Sequence, residues 1–175
     1  KWGINKAIKK ANGMFALAVL DINNRKIWFA RDRAGKKPLY IYKDSNQFIF
    51  SSEIKGILSV PNLKVTISQQ SLNDYLSVGF VIGTDTIYKE IKEVQPGILI
   101  EFDLINRTTQ ESTYWKFPTQ TPLSLSKFEI QSETEKYLKD SINIRLRADV
   151  PVGVFLSGGI DSGLITAMAA QQVDY

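Results

Sequence analysis

The 175-residue chain contains no cysteine, which excludes disulfides and a thiol nucleophile within this stretch. Histidine is absent as well. That removes Ser–His and Cys–His catalysis and the commonest metal ligand. No run of about 18 apolar residues occurs, so no membrane span is predicted, and no basic-then-apolar signal segment opens the chain. A strong charge of one sign is also missing, since the net charge is only +4 for a pI near 9.2. The basic residues (Lys9 and Lys10, Lys36 and Lys37, Arg145 and Arg147) are scattered rather than striped, so no nucleic-acid partner is expected. Whatever chemistry the chain supports runs on carboxylates, lysines, backbone dipoles and a hard metal ion.

What is present is an ordinary apolar fraction of 43%, enough for a packed core, and one highly informative segment, Leu156-Ser157-Gly158-Gly159-Ile160-Asp161-Ser162. It follows an apolar run, Val152 to Leu156, whose composition predicts a short buried strand. It precedes Leu164 to Gln172, rich in strong helix formers. A strand that turns through two glycines into a helix N-terminus is an anion-binding device. The glycines let the backbone approach a ligand closely, the first helical N–H groups lack intrahelical partners, and the helix dipole adds about half a positive charge. Asp161 would place a carboxylate beside bound phosphates, which suits a Mg²⁺ ligand. The Walker pattern is absent because no lysine follows the glycines. The G-x-S-x-G nucleophile elbow fails too, since Ser157 is flanked at ±2 by Phe155 and Gly159, and Ser162 by Ile160 and Leu164.

Upstream, the pattern changes from strand-like to helical. Residues 1–10 read as the end of a helix. Met14 to Leu20 is a continuous apolar run fit for a strand buried on both faces, and Asp21 to Arg25 turns it into Lys26 to Ala30, the turn being assigned to asparagines that tolerate positive φ. Leu39 to Tyr42 and Gln47 to Phe50 form a second hairpin, and Ile98 to Phe102 with Glu111 to Trp115 a third. Helices are predicted over Glu53 to Leu58 and over Gln69 to Val78, the latter capped by Ser68. Pro118 to Pro122 reads as a linker. Ser126 to Arg147 is helical, with Ile130, Tyr137, Leu138, Ile142 and Leu146 on one stripe.

The segment L-S-G-G-I-D-S resembles the PP-loop of the ATP pyrophosphatase superfamily, and the longer run Arg145 to Ser162 resembles glutamine-hydrolysing asparagine synthase. Asn12 to Ala16, Arg31 to Tyr40, Phe50 to Lys55 and Tyr114-Trp115 resemble the same family, in the same order. The family usually has a further serine after S-G-G-x-D-S, where Gly163 stands here.

The resemblance implies an α+β antiparallel sandwich, part of an Ntn-type class II glutaminase domain, over 1–118. A linker over 119–125 and the start of an α/β PP-loop domain over 126–175 would follow. It implies ATP and Mg²⁺ as cofactors, with Leu156, Ser157, Gly158, Gly159, Asp161 and Ser162 around the nucleotide and Asp161 as the metal ligand. Glutamine, aspartate and ATP would be the substrates, asparagine the product through a β-aspartyl-AMP intermediate, the location cytoplasmic, and the full-length protein a candidate homodimer. In that family the glutaminase nucleophile is an N-terminal cysteine, which nothing here matches, so the chain is expected to be an internal fragment holding no catalytic residue. Another amide-forming ligase of the same plan (β-lactam synthetase-like or a biosynthetic-cluster amidase), or a non-catalytic relative, would fit the same residues.

For Arg31 and Asp32 the residues admit either a brace for a glutaminase pocket or an Arg–Asp pair ending a strand, the second being favoured; an exposed pair of that kind is worth about 0–1 kcal/mol. Glu53 is assigned only dipole matching, the aromatics Trp28, Tyr40, Tyr42, Tyr114 and Trp115 a core role, and Arg145 and Arg147 either phosphate steering or a helix end. Without a thiol, the 175-residue chain alone is expected to release no glutamate from glutamine. Glutamate formation by chain purified free of other glutaminases would overturn that expectation.

Overall fold

Three aspartates close the hairpins of a computed structural model that describes residues 2–119 and 124–172. Asp21 accepts from the Asn24 N–H at 2.9 Å, Asp44 from the Asn46 and Gln47 N–H groups at 2.7 Å each, and Asp103 from the Ile105 and Asn106 N–H groups at 2.8 Å each. The left-handed turn positions fall on Arg25 (φ 49°) and Arg107 (φ 56°) rather than on asparagines. An aspartate that captures the preceding turn N–H groups leaves the strain to the next residue.

The chain divides into two compact units, 1–118 and 119–175. In the first, β1 (Ala16–Asp21), β2 (Lys26–Arg31), β6 (Ile98–Asp103) and β7 (Thr109–Thr113) form an antiparallel sheet in the order β1-β2-β6-β7. A second antiparallel sheet, ordered β4-β3-β5, joins β3 (Tyr40–Lys43), β4 (Phe48–Ser51) and β5 (Ile91–Glu93). Phe29, Ile100 and Phe102 from one sheet pack against Leu39, Ile41 and Phe48 on the side of the other. Phe48 lies between Phe29 and Phe102, with ring centroids 5.2 and 4.2 Å away. Strand alternation sends Ala30 and Leu99 to the opposite face, where α1 (Ile4–Lys10) covers them with Ile8. The outer face of the smaller sheet buries Tyr42 and Ile91 against Ile57 of α2 (Ile54–Leu58). The layers therefore run helix, sheet, sheet, helix: an α+β architecture of antiparallel sheets with short helices. The helix α3 (Gln69–Val78) begins at Ser68, whose side chain accepts the Ser71 N–H at 3.2 Å, and ends at Gly79 with φ 85°.

In the second unit, α4 (Lys127–Arg145) starts with a capping box in which Ser126 and Glu129 satisfy each other's backbone N–H. It packs through Leu138, Ile142 and Leu146 on Met168 and Ala169 of α5 (Ile160–Ala170).

Several expectations are corrected. The Met14 to Leu20 run is not buried on both faces: β1 lies at a sheet edge, pairs only with β2 among the described residues, and leaves Leu20 56% exposed. The third hairpin's return strand is Thr109–Thr113, two residues before the expected one, because Asp103 tightens the turn; Tyr114 and Trp115 lie beyond it. The strand β5 was not expected. Ile130 and Tyr137 are exposed and do not join the α4 stripe. The Val152 to Leu156 run forms no strand, and Phe155 is 98% exposed; a strand needs a neighbour to take up its N–H and C=O groups, and no described residue pairs with it. Of the linker expected over Pro118 to Pro122, residues 120–122 lie outside the described residues.

Phe29 has no exposed surface and carries the contact between the sheets. Phe29→Ala should destabilise the first unit by about 3–5 kcal/mol in urea denaturation. Leu20→Ala should cost well under about 1 kcal/mol; equal losses would place the core wrongly.

Candidate functional site

Gly158 turns the chain with φ 83°, a conformation that side-chain-bearing residues rarely adopt, and Gly159 then serves as the N-cap of α5 in extended backbone, φ −80° and ψ 163°. The first N–H to bond back is that of Gly163, to the Gly159 carbonyl at 3.0 Å. The N–H groups of Ile160, Asp161 and Ser162 precede it and have no acceptor within the helix. Above them the Ser157 and Ser162 hydroxyls lie 3.0 Å apart, and Ser162 also donates to the Gly159 carbonyl at 3.1 Å. Asp161 stands exposed in the first helical turn, and Leu156 is exposed just before the loop. The six residues singled out in the sequence are thus contiguous around one helix N-terminus, and the helix begins at Ile160, directly after the glycines.

The two glycines are there for different reasons. At Gly158 a Cβ would meet nothing within 4 Å, so the positive φ is the requirement. Gly159 has an ordinary φ, and its Cβ would sit 3.7 Å from Ser157 Oγ and 3.9 Å from Ser162 Oγ, ordinary contact distances. Neither backbone strain nor a clash inside the chain demands glycine at 159. A Cβ there would instead fill the space beside the two hydroxyls. Gly163 also has open space around it, so a serine in its place would meet no obstruction. Among the described residues no group of three or more Asp or Glu side chains could hold a metal ion unaided. One carboxylate beside a phosphate cradle suits Mg²⁺, which commonly takes one or two protein carboxylates and completes its shell with phosphate oxygens and waters.

Arg31 and Asp32 depart from the expected Arg–Asp pair. They are 8% and 1% exposed, and they do not pair with each other. The Arg31 guanidinium donates to the carbonyls of Gly35 (2.7 Å), Lys37 (2.8 Å) and Val94 (2.9 Å) and meets Glu93 at 2.9 Å. Asp32 accepts four backbone N–H groups: Ala34 (3.1 Å), Lys36 (3.0 Å), Lys37 (3.0 Å) and Phe15 (3.2 Å). The loop from 32 to 38 is therefore held from both sides. Sequence reasoning missed this because every partner but Glu93 is a backbone group. Arg145 donates to the Ser141 carbonyl and hydroxyl, a helix-end arrangement, and Arg147 is exposed.

Residues 1–115 match the family model of the glutamine amidotransferase domain, which covers the two-sheet unit, and the chain accordingly belongs to the glutamine amidotransferase class. Residues 133–174, which carry the Ser–Gly–Gly loop, match asparagine synthase. With both matches in this order, the family is that of the glutamine-hydrolysing asparagine synthases. Among its relatives, a Methanocaldococcus jannaschii protein provisionally named asparagine synthetase (glutamine-hydrolyzing) 2 is 39% identical over 95% of this chain and 33% of its own length. Asparagine synthetase (glutamine-hydrolyzing) 1 of Bacillus subtilis is 34% identical over 95% of this chain and 26% of its own. A Gibberella zeae protein named amidase chry2 is 31% identical over 95% of this chain and 24% of its own. The chain thus spans a third or less of the length of these relatives.

Burial alone would raise the Asp32 carboxyl, but the N–H groups of Lys36, Lys37, Ala34 and Phe15 outweigh it and hold the group below its ordinary value of 3.8. A depressed carboxyl contributes stability above its unfolded pKa and loses it as pH falls through the folded one. Denaturation midpoints measured from pH 5 down to pH 2 should therefore fall less steeply for Asp32→Asn than for wild type. Asp32→Ala, which strips four N–H groups of their acceptor, should cost roughly 3 kcal/mol at pH 7.

Proposed function

We propose that the protein carrying this chain makes asparagine from aspartate, using ATP and ammonia released from glutamine, through a β-aspartyl-AMP intermediate. In this reading residues 1–118 belong to a class II glutaminase domain, 119–125 to a linker, and 126–175 to the opening of an α/β PP-loop domain. The observation that carries it is the cradle at 157–162: free N–H groups, two hydroxyls and a glycine whose missing Cβ the chain itself does not require.

Adenylation of a carboxylate breaks the bond at the α-phosphate and leaves pyrophosphate. Donors fixed beforehand at the leaving group stabilise its growing charge without reorganisation. The Ile160, Asp161 and Ser162 N–H groups and the Ser157 and Ser162 hydroxyls would bind it, Gly158 and Gly159 would admit it, and the Leu156 backbone would contact the nucleotide. Asp161 would hold Mg²⁺, which when bound supplies charge neutralisation on the phosphates. Glutamine, aspartate and ATP are the small-molecule substrates of this reading, which also takes a cytoplasmic location and, for the complete protein, a homodimer. No described helix is long and apolar enough to cross a membrane. A second reading, an amide-forming ligase with another acceptor, is favoured by the likeness to amidase chry2.

Two variants of the complete protein test the site. Asp161→Asn should lower ATP-dependent synthesis by two or more orders of magnitude, on the scale of about 3 kcal/mol for a key electrostatic contact, while glutamine hydrolysis largely survives. Were Asp161 only part of a helix terminus, turnover would stay near normal with a stability loss of roughly 1 kcal/mol. Gly159→Ala should melt within a few degrees of wild type yet bind ATP at least tenfold more weakly. A variant that binds ATP normally would remove the cradle from the argument. Aspartate-independent amide formation with another acceptor would select the second reading.

A further inference from the structure

Beside β5 and β7, the last strands of the two sheets of the first unit, lies a cleft of about 470 Å³ lined from both sheets. That volume falls in the range of small-molecule sites, about 300–1,000 Å³. Its apolar lining is the open margin of the core: Ile41 and Phe48 from the smaller sheet, Ile98 and Ile100 from the larger.

Strand register puts charge where the next strand carries core. Cross-strand partners share a face of the sheet. Glu111 of β7 stands opposite Ile100, and Lys92 of β5 opposite Ile41, so both charges are on the inner side of the sandwich. Lys43 follows Ile41 inward by alternation; its Nζ lies 5.8 Å from the Phe102 ring centroid and donates to Thr109 Oγ1 at 3.3 Å. Most of the polar lining is already engaged. Lys92 meets Asp85 at 2.8 Å, Glu93 meets Arg31 at 2.9 Å, and Glu90 accepts from the Thr66 N–H and hydroxyl. Lys89 and Glu111 both line the cleft, and their side chains make no hydrogen bond or ion pair among the described residues. One cation and one anion are therefore left uncommitted at the edge of an apolar floor.

Inward charges on an edge strand also hinder the pairing of sheets between molecules, but any charge does that and no cavity is needed for it. With β5 only three residues long and β7 polar throughout, neither edge suits an added strand, which favours a small molecule over a polypeptide.

We propose that this cleft binds a small zwitterion with an apolar body, its carboxylate met by Lys89, its ammonium by Glu111 and its body by Ile41, Phe48, Ile98 and Ile100. Apolar α-amino acids and their dipeptides share that chemistry. None of these residues belongs to the 157–162 loop, so the inference stands or falls apart from the proposed synthesis.

The test is calorimetric titration of the complete protein with L-phenylalanine and with L-leucyl-L-phenylalanine. One of the two should bind with a Kd of about 1 mM or below, and the tighter one tells free amino acid from peptide. Glu111→Gln and Lys89→Met, both at exposed positions, should each weaken that probe by about fivefold or more, as expected for losing a charge-assisted contact. The N-acetylated probe, which has no ammonium, should bind wild type more weakly by a similar factor and should not distinguish wild type from Glu111→Gln. No binding of either probe at roughly 10 mM would overturn the proposal, and is the result expected if the rest of the protein fills the cleft or if the charges only guard the edge. Unchanged affinity in Glu111→Gln, or displacement of the probe by glutamine, would overturn it as well.

Discussion

Two opposite charges at the end of one strand, buried side by side without pairing to each other, govern the first unit. A buried carboxylate is costly unless donors surround it, and a buried guanidinium needs acceptors. Asp32 takes its donors from backbone N–H groups at 15, 34, 36 and 37, and Arg31 its acceptors from carbonyls at 35, 37 and 94. Each ion substitutes for the ladder hydrogen bonds that an irregular loop cannot make. Removing either would leave several buried backbone groups unpaired at once, so the loop has no neighbouring conformation of similar energy. The hairpin β1–β2, the loop and the approach to β6 all inherit their positions from this arrangement.

What the sequence revealed and what it concealed divide along the distance over which the deciding contacts act. The Ser68 cap of α3 and the Ser–Gly–Gly loop were legible because donor and acceptor lie within five residues of each other. The hairpins were legible because alternation and turn residues are local signals, though Asp103 shifted one return strand by two residues. Arg31 and Asp32 were read as pairing with each other because Phe15, Glu93 and Val94, which partner them instead, are remote in sequence. The strand β5 is three residues long with a lysine at its centre, too short to show a period. The apolar run at 14–20 announced a strand buried on both faces, and that at 152–156 a short buried strand. Composition states how much a segment would gain from burial, whereas neighbours decide whether burial happens.

At the turn into α5, one glycine answers to backbone geometry and the other does not. Gly158 is explained by its φ alone, whereas neither φ nor a clash within the described residues requires glycine at 159. This is why family membership and site geometry support one another here without being the same argument. The match assigns the chain to the family of the glutamine-hydrolysing asparagine synthases, and the proposed cradle would give a physical reason for the residue types found at 157–162.

The larger sheet also ends unequally. On one side β7 is entirely polar, Thr109-Gln110-Glu111-Ser112-Thr113, and water can satisfy its outer groups without apolar surface at stake. On the other, β1 offers an apolar run with a row of outward N–H and C=O groups, the combination that templates strand addition between molecules. Left uncovered, that margin would make colloidal behaviour of this stretch depend on protein concentration rather than on fold stability. A single lysine introduced at Val19, midway along it, would set a charge in the way of any such added strand.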